Sequence, residues 1–218
     1  MKKILTLTLL FFSCFNLFAQ SNVTKEEYEV YTGIIENDYE DFKFDKSEIN
    51  LVILNRTLIP ESASMEKFLD KKYFLDYMYG QTSSNNLNPA IFEELQKNLK
   101  QINPKNDILE ERFPVEYKYN VITENDLKVL LDEGKKESIK NSCYVGISCD
   151  WQLFFKKYKY SGGYYSFSRV GFNLNKRFAL VAAEKEQGDY MSSNFYVLRK
   201  ENKKWKVYKY FGSARSLG

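Results

Sequence analysis

The sequence predicts an α+β domain in which N-terminal helices pack on a C-terminal four-stranded antiparallel meander, with one or two additional short strands. Three observations carry that expectation. Apolar residues recur at helical spacing through the first two thirds of the chain, as in Tyr28, Tyr31, Ile34 and Ile35. The last third falls into four apolar, aromatic-rich runs joined by the short connectors LNK, QGD and ENK. Helices therefore precede strands instead of alternating with them, which separates α+β from α/β organisation.

The chain opens with MKKILTLTLLFFSCFNLFA. Lys2 and Lys3, an apolar stretch from Ile4 to Phe18, and Ala19 before Gln20 read as a secretory signal peptide cleaved after Ala19. The alternative is a lipoprotein acylated at Cys14. The apolar stretch is shorter than the roughly twenty residues a spanning helix needs, and no later apolar run, Leu51 to Leu54 included, approaches that length, so no transmembrane segment is expected. Residues 20–218 are then a single α+β domain.

Thr24 with Glu27 three residues on reads as a capping box and starts a helix over 25–37. The acidic connection NDYEDFKFDKSE leads to INLVILN, an apolar, β-branched run read as one strand. A second helix is expected from Ser64 to just before Gly80, with Met65, Phe68 and Leu69 on one side. Asn88 before Pro89 starts a third, whose apolar stripe is Phe92, Leu95 and Leu99. FPVEYKYNVI alternates as a short strand. Thr123 and Asp126 cap a helix that buries Leu127, Leu130 and Leu131 and is expected to stop at Gly134. Ser148 caps WQLFFKKY, in which Trp151, Phe154, Phe155 and Tyr158 form a stripe expected to cover the strands carrying Phe172, Leu180, Val197 and Trp205; Gly162 and Gly163 end that helix. In the first C-terminal strand the apolar phase shifts from Tyr165 and Phe167 to Val170 and Phe172, which predicts a bulge near Arg169 and Gly171.

Charge is unevenly placed. From Trp151 to Gly218 there are fourteen Lys or Arg against four Asp or Glu, whereas residues 20–150 hold sixteen against twenty-five. Such an asymmetry serves either a basic face for an anionic partner or two halves that neutralise each other on packing. Cys143 and Cys149 remain after cleavage, and an even pair in an oxidising compartment predicts a disulfide between them. The chain has no histidine, which removes Ser-His-Asp and Cys-His hydrolases and His-ligated zinc chemistry.

Ser64-Met-Glu-Lys67 has the spacing of a lysine-activated serine, yet no K-T-G accompanies it and a serine at a helix start serves as a cap. The carboxylates from Glu36 to Glu48 lack the glycine-turned order of a calcium loop, so they read as a solvated acidic connection and no metal is expected. The same carboxylates would have to supply any glycosidase pair. No glycine-rich phosphate loop is present and no cofactor is expected. Lysines and aromatics interleave in FFKKYKYSGGYYSF and WKVYKYF, a composition that stacks on sugars and holds anionic groups. The residues assigned to such a face are Arg199, Lys204, Lys206 and Tyr208; strand alternation alone would make them solvated surface.

From Trp151 on, the W-x-x-F helix, SRVGFN, ALV and the closing WKV resemble a loose group of exported bacterial proteins, mostly of Bacteroidota type. That resemblance covers about the last third of the chain. It implies export and a C-terminal sheet, and it implies no activity. The functional expectation is an exported, non-catalytic binding or interaction module of the cell envelope. Its partner would be an anionic glycan, the envelope surface or another envelope protein, with nucleic acid not expected. The alternative is a histidine-free envelope hydrolase using carboxylates.

Overall fold

Thr24 accepts a hydrogen bond from the Glu27 amide while the Glu27 carboxylate accepts from the Thr24 amide, and this reciprocal cap opens helix α1, Lys25–Asp38. The computed structural model describes residues 22–41, 45–58, 87–102, 107–110, 112–140, 150–188 and 190–216. The expected leader with Cys14, the helix expected after Ser64, Ser148, and both Cys143 and Cys149 lie outside the described residues.

After α1 come β1 (Asn50–Leu54), α2 (Pro89–Ile102), β2 (Lys118–Ile122), α3 (Glu124–Lys140), α4 (Gln152–Lys157), β3 (Tyr164–Phe167), β4 (Gly171–Phe172), β5 (Phe178–Gln187), β6 (Tyr190–Glu201) and β7 (Lys204–Ser216). The sheet is seven-stranded and mixed, in the order β2-β1-β3-β5-β6-β7, with β4 also paired to β5. β1 runs parallel to both β2 and β3, and every other pairing is antiparallel. The four-stranded meander expected from the sequence is thus only part of the sheet. The two N-terminal strands do not stand apart but extend it in parallel, a long-range pairing that alternation within a strand does not reveal.

Period-2 alternation decides what each face buries. On one face, Leu51 and Ile53 of β1, Tyr165 and Phe167 of β3, Val181 of β5, Leu198 of β6 and Trp205 of β7 close over α1, which supplies Tyr28, Tyr31, Ile34 and Ile35. The other face has two coverings. α2 sets Phe92, Leu95 and Leu99 on Leu180, Phe195, Val197 and Phe211. α3 sets Leu127, and α4 with its caps sets Trp151, Phe154 and Tyr158, on Val52, Leu54 and Ile122.

The aromatic stripe of α4 therefore does not cover Leu180 and Val197. The link from Lys157 to Tyr164 is short, and β3 pairs with β1 through Val52 and Tyr164, so α4 is confined to the β1–β3 end. The helices also do not all precede the sheet, because β1 and β2 are interleaved among them. Nor does α3 stop at Gly134. A Cβ there would stand 2.1 Å from the Asp150 carbonyl oxygen, so this glycine serves a close approach of backbone inside the helix. The cap before α4 is Trp151, with no side-chain bond.

The expected bulge is present. Phe167 pairs with Ala183 and Gly171 with Leu180, so four steps on one strand oppose three on the other. The Ser168 amide donates to the Ala182 carbonyl at 2.8 Å, the Ser168 hydroxyl accepts from the Ala182 amide at 2.9 Å, and the Tyr31 hydroxyl donates to the Ser168 carbonyl at 2.9 Å. Asn202 and Lys203 close the β6–β7 hairpin, both with positive φ, the conformation that matches the twist of flanking strands.

Candidate binding site

Arg199 lies opposite Phe178 on β5 and opposite Lys206 on β7, and Glu201 lies opposite Lys204. Directly opposed residues share a face, and residues two apart on a strand share it too. Arg199, Lys204 and Lys206 are accordingly brought onto one face of the β6–β7 hairpin, the same face that α2 covers farther along, and Tyr208, the extra residue of a bulge opposite Val197 and Leu198, joins them there through its ring contacts. The Arg199 guanidinium sits 4.9 Å above the Tyr208 ring, and its Nε donates to Glu201 Oε1 at 2.8 Å. Tyr208 in turn meets Phe178 edge-on, with centroids 6.1 Å apart. This places an arginine, held from below and from the side, among exposed lysines.

Lys204 and Lys206 are exposed and have no carboxylate partner among the described residues, as is true of Lys203 and Arg177 nearby. Other cations of the C-terminal half are neutralised by α1. Lys176 and Lys200 both hold Glu26, at 2.8 and 2.7 Å. Burial raises the Glu26 pKa, but the two lysines outweigh it and the carboxyl ends below its ordinary value. Asp38 accepts from the Tyr165 hydroxyl at 2.9 Å and lies 3.7 Å from Lys185 Nζ. Packing of the two halves therefore neutralises part of the charge asymmetry and leaves other cations exposed. α1 absorbs part of the excess; Lys176, Arg177, Lys203, Lys204 and Lys206 lie exposed at the β4–β5 and β6–β7 turns, and Lys156, Lys157 and Lys159 lie exposed at and after α4.

Two features of the molecule were not assigned from the sequence. Arg169, at the bulge, is buried between Glu27 and Asp107 and also donates to the Asn22 carbonyl at 3.1 Å. Burial works against its charge, and the two carboxylates more than compensate, raising its pKa. An arginine between inward-phased Phe167 and Val170 was the available signal, since such a residue needs an anionic partner inside. The second feature is a cleft of ≈ 570 Å³ between the C-terminal half of α1 and the start of β7, lined by Glu36, Glu40, Lys46, Glu116, Tyr117 and Lys206 among others. Its carboxylates are all exposed, and Glu116 is engaged by Lys46 at 3.2 Å.

Among the described residues no group of three His, Cys, Asp or Glu gathers to hold a metal ion, and no helix is long and apolar enough to cross a membrane. No protein-family model, curated protein or solved structure matches this chain.

Proposed function

We propose that the chain is an exported, non-catalytic binding module of the cell envelope, and that Arg199, Lys204, Lys206 and Tyr208 form its contact surface for an anionic ligand. The observation that carries this reading is the unpaired state of Lys204 and Lys206 beside an arginine oriented by Tyr208 and Glu201. Lys176 and Lys200 are paired with Glu26 of α1, whereas Lys204 and Lys206 have no carboxylate partner among the described residues. The leader-like first nineteen residues support the envelope location. The hydrolase alternative finds less support. A catalytic acid needs a carboxyl sheltered from water, but the cleft carboxylates are exposed, and buried Glu27 is occupied by Thr24, Val170 and Arg169.

Retention on immobilised dextran sulfate tests the reading. Binding should weaken steeply between 0.1 and 1 M salt, where the screening length falls from about 10 Å to 3 Å. The double variant Lys204→Glu/Lys206→Glu should lose retention with a melting temperature close to the parent's, because exposed lysines contribute little to stability. Equal retention of the reversed protein refutes the contact surface.

A further inference from the structure

Leu174 projects from the β4–β5 turn with 93% of its surface exposed. A lone exposed leucine is commonplace, but this one stands on a rigid turn. The Asn173 side-chain oxygen accepts from the Arg177 and Phe178 amides at 2.9 Å each, and the Leu174 amide donates to Glu94 Oε1 at 2.6 Å. The β6–β7 turn lies at the same end of the sheet, because Phe178 pairs with Arg199 and Arg199 with Lys206. Lys176, Arg177, Lys203, Lys204 and Lys206 are thus all exposed at the end that carries the apolar tip. Of the carboxylates nearby, Glu26 is engaged by Lys176 and Lys200, Glu201 by Arg199 and Glu94 by the Leu174 amide, while Glu36 lies exposed in the cleft that Lys204 and Lys206 also line.

We infer that this end of the sheet docks on an anionic lipid surface, Leu174 entering the boundary between headgroups and acyl chains while the unpaired cations meet lipid phosphates. The inference rests on the anion-binding reading above and names the source of the anion. Reversible attachment to a bilayer characteristically needs two weak signals together, an apolar anchor and a basic patch. A soluble polyanion offers no apolar phase and leaves the fixed exposure of Leu174 without a role.

Co-sedimentation with vesicles of phosphatidylcholine alone, or mixed three to one with phosphatidylglycerol, tests this. Each variant is compared with the parent chain, so any contribution from residues 1–19 is common to both. The protein should bind the anionic vesicles and not the neutral ones, and Leu174→Ser should weaken that binding about tenfold or more while leaving dextran sulfate retention and the melting temperature unchanged. In a Leu174→Trp variant the emission should shift to the blue on binding and be quenched by brominated acyl chains, against a quiet background from Trp151 and Trp205, which are 3% and 4% exposed. Anionic-vesicle binding that Leu174→Ser does not alter, with Leu174→Trp unquenched, overturns lipid docking alone. If Lys204→Glu/Lys206→Glu alters neither vesicle nor dextran sulfate binding, the underlying contact surface falls with it.

Discussion

Arg169 meets Glu27 through two contacts at once, Nε to Oε1 at 2.7 Å and Nη2 to Oε2 at 3.1 Å, with both side chains almost fully buried. The same Glu27 oxygens accept from the Thr24 and Val170 amides. One carboxylate therefore caps α1, binds the bulge backbone and neutralises the bulge arginine. Asp107 completes the arrangement by taking Arg169 Nη1 and the Asn22 side-chain amide.

Removing the arginine leaves two carboxylates with an uncompensated charge. Arg169→Met should cost about 3–5 kcal/mol in urea unfolding. Arg169→Lys should rescue little of it, since an ammonium cannot reproduce the fork that spans Glu27. Full stability in the lysine variant would show that charge alone, without the fork, holds the bulge.

Two helical glycines should resist replacement by the best helix former. Alanine raises intrinsic helix propensity by about 1 kcal/mol. A Cβ at Gly33, however, would lie 2.5 Å from the Trp205 carbonyl oxygen, and one at Gly134 would lie 2.1 Å from that of Asp150. Both neighbours are backbone and cannot step aside, so Gly33→Ala and Gly134→Ala should each lower the melting temperature. A rise in either would show that the helices shift freely at these crossings.

Phe154 is fully buried, edge-on to Trp151 at 4.9 Å and close to Tyr158 at 5.1 Å. Phe154→Ala should cost about 3–5 kcal/mol. Because α4 covers the β1–β3 end, amide exchange should accelerate first in β1 and β2, and later under α2. Uniform acceleration across the sheet would mean that the two coverings of this face unfold as one.

Alkaline pH should expose a set of sheltered tyrosines. Burial raises the hydroxyl pKa of Tyr31, Tyr39, Tyr164, Tyr165 and Tyr196, with nearby Asp38 adding to it at Tyr39, Tyr165 and Tyr196. A raised acid contributes stability that is complete below the ordinary tyrosine value of 10.0 and falls away as pH rises above it. Lys185 has the opposite sign. Burial lowers its pKa and Asp38 only partly restores it, so its contribution grows as pH climbs from that lowered value towards the ordinary 10.5. Absorbance titration should show fewer tyrosinates in the folded protein than in denaturant above pH 10, and Lys185→Met should flatten the rise in stability just below it. Tyrosines that all ionise together near their ordinary value would contradict the burial.

Much of this molecule was written in local sequence. Thr24 with Glu27, Asn88 with Pro89, and Thr123 with Asp126 start the helices as their spacing predicted, and the phase shift from Phe167 to Val170 marked the bulge. Caps, alternation and bulges depend on neighbours within a few positions, so a single sequence carries them. That Arg199, Lys204 and Lys206 share a face followed from the tight hairpin between them, whereas the bulge at Tyr208 did not show in the alternation. Tertiary structure alone decided that β1 and β2 join the sheet in parallel and that α2, not α4, covers Leu180 and Val197. It alone sent Arg169 to a carboxylate 142 positions away. It likewise determined which lysines α1 would neutralise and which would remain open. Those outcomes depend on contacts between distant segments, where many pairings satisfy the same local pattern and only the packed whole selects one.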